Sequence, residues 1–100
     1  MSLNIEVKEN QNQATYVLTG KLDTTTAPNL DAAIEEKIAN LKEIVFDCKD
    51  LEYVSSAGLR VILKTQKTMN QQGSMKLTNV SDTIMEIFDI TGFVDFLNIE

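Results

Sequence analysis

The sequence predicts an α/β fold: a mixed sheet of four or five strands, with an antiparallel hairpin at its N-terminal end and helices packed against it. Three observations predict it. Two β-rich stretches stand close together at the start of the chain, separated only by a polar turn. Further on, apolar residues recur at helical spacing in three stretches. Between those stretches lie apolar runs too short for helices, which gives the order β-β-α-β-α-β-α.

Leu3, Ile5 and Val7 alternate with Asn4, Glu6 and Lys8, the period of a half-buried strand. Glu9-Asn10-Gln11-Asn12-Gln13 reads as a polar turn. Residues 14–19, with Thr15, Tyr16 and Val17, form the second strand, and so short a turn between strands makes an antiparallel hairpin. Gly20-Lys21-Leu22-Asp23-Thr24-Thr25-Thr26-Ala27-Pro28 is expected to be a loop entering a helix. Pro28 suits the first helical turn, where its missing N–H costs nothing, and Thr26 stands where a cap belongs. Leu30, Ala33, Ile34 and Ile38 follow at helical spacing, with Asp31, Glu35, Glu36 and Lys37 mostly outward.

Ile44-Val45-Phe46 is a central strand covered on both faces, reached by a crossover and therefore parallel to an earlier strand. Asp47 ends it and is expected to hydrogen-bond a turn. A short loop leads to a helix over residues 56–72 that stops before Gly73. Met75 and Leu77, extended by Asn79, mark another strand. Ser81 caps a short helix with Ile84, Ile87 and Phe88 on its buried face, and Gly92 stops it. Phe93, Phe96, Leu97 and Ile99 close the chain and are expected to cover a sheet edge.

Composition narrows the function. One hundred residues, 43% hydrophobic and 24% charged, fit a single domain over residues 1–100. The net charge of −6 argues against nucleic acid and anionic membranes, both of which select for Lys and Arg. The chain contains no histidine, which removes Ser-His-Asp triads, phosphohistidine transfer and most zinc sites. Cys48 is the sole cysteine, so it is expected to pack as a small hydrophobe in a reducing compartment. No apolar run approaches the ~20 residues of a membrane span, and Met1-Ser2-Leu3-Asn4 lacks the features of a signal peptide. The expected location is the cytoplasm, with no membrane insertion. Gly20, Gly58, Gly73 and Gly92 are too far apart for a dinucleotide or Walker loop. Asp47 as a phosphoacceptor would need an acidic pair holding Mg²⁺, and the first strand supplies none. No metal, cofactor or catalytic residue is therefore expected.

The stretch Tyr53-Val54-Ser55-Ser56-Ala57-Gly58-Leu59-Arg60 opens the long helix with two hydroxyls. A serine there can cap the orphan N–H groups of the first turn. It can also accept a phosphate, which those N–H groups and the helix dipole tolerate. Both roles are open, and two serines can divide them. Ala57 and Gly58 keep the surface low. Arg60, Lys64 and Lys67 fall at i, i+4 and i+7, which reads either as a solvated face or as a charged partner contact. Arg60 lies one turn beyond Ser56, within reach of a phosphate on it.

Four segments in one register resemble the STAS-domain anti-sigma factor antagonists. These are Gly20-Lys21-Leu22-Asp23, the central-strand Asp47, Ser55-Ser56-Ala57-Gly58-Leu59, and Phe88-Asp89-Ile90-Thr91-Gly92. The resemblance implies a STAS-like fold and a regulatory binding module without catalysis of its own. It implies that the unphosphorylated form docks on an anti-sigma factor, a serine kinase of the histidine-kinase-like ATPase fold, and so frees a sigma factor. Phosphorylation of the loop serine by that kinase reverses the docking, and a PP2C-type phosphatase resets it. Register makes Ser56 the acceptor, with Ser55 the alternative. Sporulation and stress members carry aspartate where Ser55 stands here. The implied partner surface comprises Asp23, Thr24, Ser55, Ser56, Ala57, Gly58 and Arg60. The same fold also serves non-switching scaffolds or accessory subunits of signalling and lipid-transport assemblies, which is the second functional class to weigh.

Overall fold

The computed structural model describes residues 2–100. Strands β1 (Leu3–Asn10) and β2 (Gln13–Leu22) form the expected antiparallel hairpin, reversing at Gln11 and Asn12. Helix α1 (Ala27–Glu35) and a 3-10 turn (Ile38–Asn40) lead to β3 (Glu43–Val54), which lies parallel to β2. Helix α2 (Ser56–Gln72) then returns the chain to β4 (Ser74–Thr78), parallel to β3. Helix α3 (Asp82–Thr91) and a second 3-10 turn (Phe93–Asp95) follow. The sheet order is β1-β2-β3-β4. Two right-handed crossovers stepping the same way along a sheet place both helices on one face. The packing agrees with that rule. Tyr16 and Leu18, Ile44 and Phe46, and Met75 and Leu77 are all 0–1% exposed and share one cluster with Leu30 and Ile34, Ile62 and Met69, and Ile84 and Phe88. Tyr16 and Phe46 pack with ring centroids 5.7 Å apart, tilted by 42°.

The hairpin, α2 and α3 occur where the pattern placed them. Ser81 Oγ accepts from the Ile84 N–H at 3.2 Å, and Gly92 ends α3 in the left-handed region at φ 79°, where a Cβ is unfavourable. The C-terminal residues do line the β4 edge: Leu77 N–H donates to the Asn98 carbonyl and Glu100 N–H to the Leu77 carbonyl, both at 2.9 Å. Phe96 takes no part in that cover and is 64% exposed.

Six expectations need correction. The hairpin turn is shorter than expected, because Glu9, Asn10 and Gln13 pair as strand. Strand β4 ends at Thr78, and Asn79 beyond it takes a positive φ of 56°. Gly20-Lys21-Leu22 is strand, not loop, and it pairs with Leu51, Tyr53 and Val54 of β3. Helix α1 stops at Glu35, so Ile38 belongs to a separate 3-10 turn. Thr26 occupies the cap position without capping: its hydroxyl donates to the Lys21 carbonyl and accepts from the Asp23 N–H, each at 2.8 Å. Finally, β3 runs for 12 residues, so Asp47 lies within it rather than at its end. Asp47 still serves as a local fastener, its Oδ1 accepting from Asn79 Nδ2 at 3.0 Å and from Lys49 N–H at 3.2 Å.

The length of β3 has a physical cause. Between Val17/Asp47 and Thr19/Asp50, and again between Gly20/Leu51 and Lys21/Tyr53, β3 contains one residue more than β2. Each extra residue is a bulge that resets which face the next side chain takes. The buried positions therefore run Cys48, Leu51, Val54, three apart, instead of alternating. Cys48 is fully buried, and its thiol is pushed up to about 12, chiefly by burial and then by the charge of Asp47. It packs as a small hydrophobe, as expected. Among the described residues no helix is long and apolar enough to cross a membrane.

Candidate functional site

The site forms at the carboxyl ends of β2 and β3, where the chain leaves the sheet for α1 and α2. The Ser55 N–H donates to the Leu22 carbonyl at 2.8 Å, joining the serine loop to the end of β2. Gly58 seats α2 on the same residue. A Cβ built at position 58 would lie 2.6 Å from Leu22 Cγ, so only glycine lets the helix come this close.

Of the two serines, one caps the helix and the other does not. Ser55 is the N-cap: its backbone is extended, and its Oγ accepts from the Gly58 N–H at 3.3 Å. Ser56 is the first helical residue and is exposed, and its hydroxyl takes no part in the bonds that close the loop. Different costs follow. Ser55→Ala removes the cap and is expected to cost about 1 kcal/mol. Ser56→Ala should leave stability within about 0.5 kcal/mol of the parent. Urea unfolding of the two variants checks the division, and equal losses would contradict it.

The neighbouring loop is held by Asp23. Its Oδ1 accepts from the Thr25 hydroxyl (2.8 Å), the Thr25 N–H (3.0 Å) and the Thr26 N–H (3.1 Å). The Thr25 hydroxyl, assisted by the Thr26 and Thr25 amides, keeps this carboxyl below its ordinary range. Asp23 thus shapes the loop that presents Thr24.

Between α1 and α2 runs a groove of about 510 Å³. Its apolar walls are Ala27 and Pro28 on one side and Ala57, Val61 and Leu63 on the other. Thr24 also lines it, and Arg60, Lys64, Lys67 and Asp31 supply charge. Lys64 is already engaged: its Nζ lies 2.7 Å from Asp31 Oδ1 and 3.1 Å from Glu35 Oε1. The Asp31 contact, then that of Glu35, raises the Lys64 ammonium above its ordinary value. The pair is solvent-exposed and bridges the two helices more as an alignment device than as a source of stability.

Of the residues expected at a partner surface, Thr24, Ala57 and Arg60 line this groove. Asp23, Ser55 and Ser56 adjoin it along the chain. Gly58 is buried and contributes by seating the helix rather than by surface contact. Sequence reasoning missed the α1 wall, with Pro28 and Asp31, together with Val61 and Leu63. Nothing in a one-dimensional pattern says which faces of two helices will meet.

Comparison with known proteins sets this geometry in context. The family model described as STAS domain matches residues 4–100. An anti-sigma-B factor antagonist of Bacillus subtilis (strain 168) is 36% identical over 104 residues, covering 99% of this chain and 92% of that protein. Two solved structures of SpoIIAA, one described as an anti-sigma factor antagonist and the other as a Bacillus cell fate determinant, share the fold at 20% identity. The unphosphorylated anti-sigma factor antagonist form superposes with a TM-score of 0.81, covering 99% of this chain and 88% of that one. The phosphorylated form gives 0.75, covering 99% and 91%.

Proposed function

This chain belongs to the STAS-domain family of anti-sigma factor antagonists, and from that membership and the serine loop we infer that it is a phosphorylation-controlled partner switch. The observation that carries the reading is the division of labour at α2: Ser55 caps the helix, leaving the Ser56 hydroxyl exposed and unengaged. A hydroxyl needed for folding would make a poor switch. A free one can be modified without disturbing the fold.

In this reading the unphosphorylated domain docks on an anti-sigma factor through the loop of Asp23 and Thr24, the turn at Ser55, Ser56 and Ala57, and Arg60. The partner is a serine kinase of the histidine-kinase-like ATPase fold, and its capture frees a sigma factor. The kinase transfers the γ-phosphoryl group of ATP to the Ser56 oxygen, the bond to the β-phosphate breaks, ADP and the hydroxyl proton leave, and the modified surface no longer fits. A PP2C-type phosphatase restores it by hydrolysis. The cycle runs in the cytoplasm. The domain, taken as one unit over residues 1–100, supplies surface and an acceptor and carries out no catalysis of its own.

The test is incorporation of phosphate by the cognate kinase. The parent chain is expected to gain the mass of one phosphate, and Ser56→Ala to gain none while still binding the kinase. Modification of the alanine variant at the parental rate would overturn the assignment. A parent chain that the kinase binds but never modifies would favour the non-switching scaffold.

A further inference from the structure

We propose that Arg60 holds the phosphate of phosphorylated Ser56 in cis, so that modification both adds charge and withdraws a cation from the α1–α2 groove. The proposal rests on the Ser56 reading above and concerns what the modified loop does. Ser56 and Arg60 are four residues apart on α2. At that spacing two helical side chains lie on one face, about 5–6 Å apart at Cβ, a distance the arginine side chain spans easily.

Arg60 is free to make the contact. It is exposed and forms no ion pair among the described residues, whereas Lys64, one turn further along, is held by both Asp31 and Glu35. The first turn of α2 carries no acidic residue that would compete for the guanidinium. The facing charges come from other elements: Asp31 of α1 across the groove, already engaged by Lys64, and Asp23, whose Oδ1 is taken up by Thr25 and Thr26. A planar guanidinium matches two phosphate oxygens, a geometry that an ammonium cannot reproduce. Turning toward Ser56, Arg60 leaves the groove wall it forms with Ala57 and Val61. A partner that read Arg60 in the unmodified state then meets a neutralised arginine beside a new anion.

The test uses the full chain with phosphoserine placed at position 56 during translation, so that no kinase chooses the site. The phosphorus resonance is followed through its second ionisation, which falls near pH 6 for free phosphoserine. Relative to the phosphorylated parent, Arg60→Gln is expected to raise that pKa by roughly 0.2–0.4 unit, the size of an exposed i, i+4 pair. Arg60→Lys should restore part of the shift. Lys8→Gln, on β1, removes the same charge without touching the site and should leave the titration in place. A parent and an Arg60→Gln variant that titrate together, or a Lys8→Gln variant that shifts as far, would overturn the proposal. Should the kinase modify Ser55 instead, the functional reading would fail while the titration still reported on Arg60.

Discussion

Phosphorylated at Ser56, the chain is expected to bind its anti-sigma factor more than a hundredfold more weakly than the unmodified form, with its fold unchanged. The phosphate adds about −1.5 to −2 charge where the docking surface previously offered a neutral hydroxyl. On this acidic chain, with a formal charge of −6, it also deepens any long-range repulsion from an acidic partner. At a tightly packed contact, bulk, desolvation and an unmatched charge together readily cost about 3 kcal/mol, and each 1.4 kcal/mol is a factor of ten in affinity. The fold has no comparable reason to respond. Ser56 is exposed, the cap is Ser55, and the first turn of a helix favours a negative group. Calorimetric titration of the kinase with each form, alongside thermal melts, measures both halves. Affinities within threefold of each other, or a phosphorylated form that melts far below the parent, would count against the switch.

The sequence was most legible where one physical period ran without interruption. Leu3, Ile5 and Val7 alternate cleanly, and β1 follows them. Ser81 and Gly92 bracket α3 because a cap and a left-handed stop are local chemistry, readable from one residue and its neighbours. The four-segment resemblance singled out the serine loop that opens α2. What failed was local pattern altered by tertiary structure. The two bulges in β3 space Cys48, Leu51 and Val54 by three, which matches neither the strand nor the helix period, so the second half of the strand looked like loop. Gly20-Lys21-Leu22 was lost for the same reason, since its pairing depends on that hidden half. Thr26 looked like a cap, yet its hydroxyl was better used inside the Asp23 loop. The groove was illegible altogether, because it exists only after α1 and α2 meet.

The position of the serine loop depends on α2 being fixed at both ends, and this makes Gly73→Ala the most damaging small substitution expected outside the core. A Cβ at position 73 would lie 1.9 Å from the Lys42 carbonyl oxygen and 2.7 Å from its carbon. These are backbone atoms, so no rotamer change relieves the overlap. The surroundings cannot readily move either. The same Lys42 carbonyl accepts from the Ser74 N–H at 2.9 Å, and Gln72 Nε2 donates to the carbonyls of Ile38 (2.7 Å) and Leu41 (2.8 Å). Alanine does reduce the freedom of the unfolded chain, which favours folding by about 0.4–1 kcal/mol. Overpacking against fixed backbone costs about 3 kcal/mol, which outweighs that gain. A net loss of roughly 2–3 kcal/mol is expected, a large share of the 5–15 kcal/mol typical of a domain. Relief would require α2 to shift away from the start of β3. At the other end of the helix that shift would strain the contact between Gly58 and Leu22 and displace Ser55 and Ser56 from the Asp23 loop. Kinase binding by the folded fraction should therefore fall together with stability. Urea unfolding measures the first loss and titration below the unfolding transition the second. A Gly73→Ala variant within 1 kcal/mol of the parent would show that this end of α2 yields more easily than its hydrogen bonds imply.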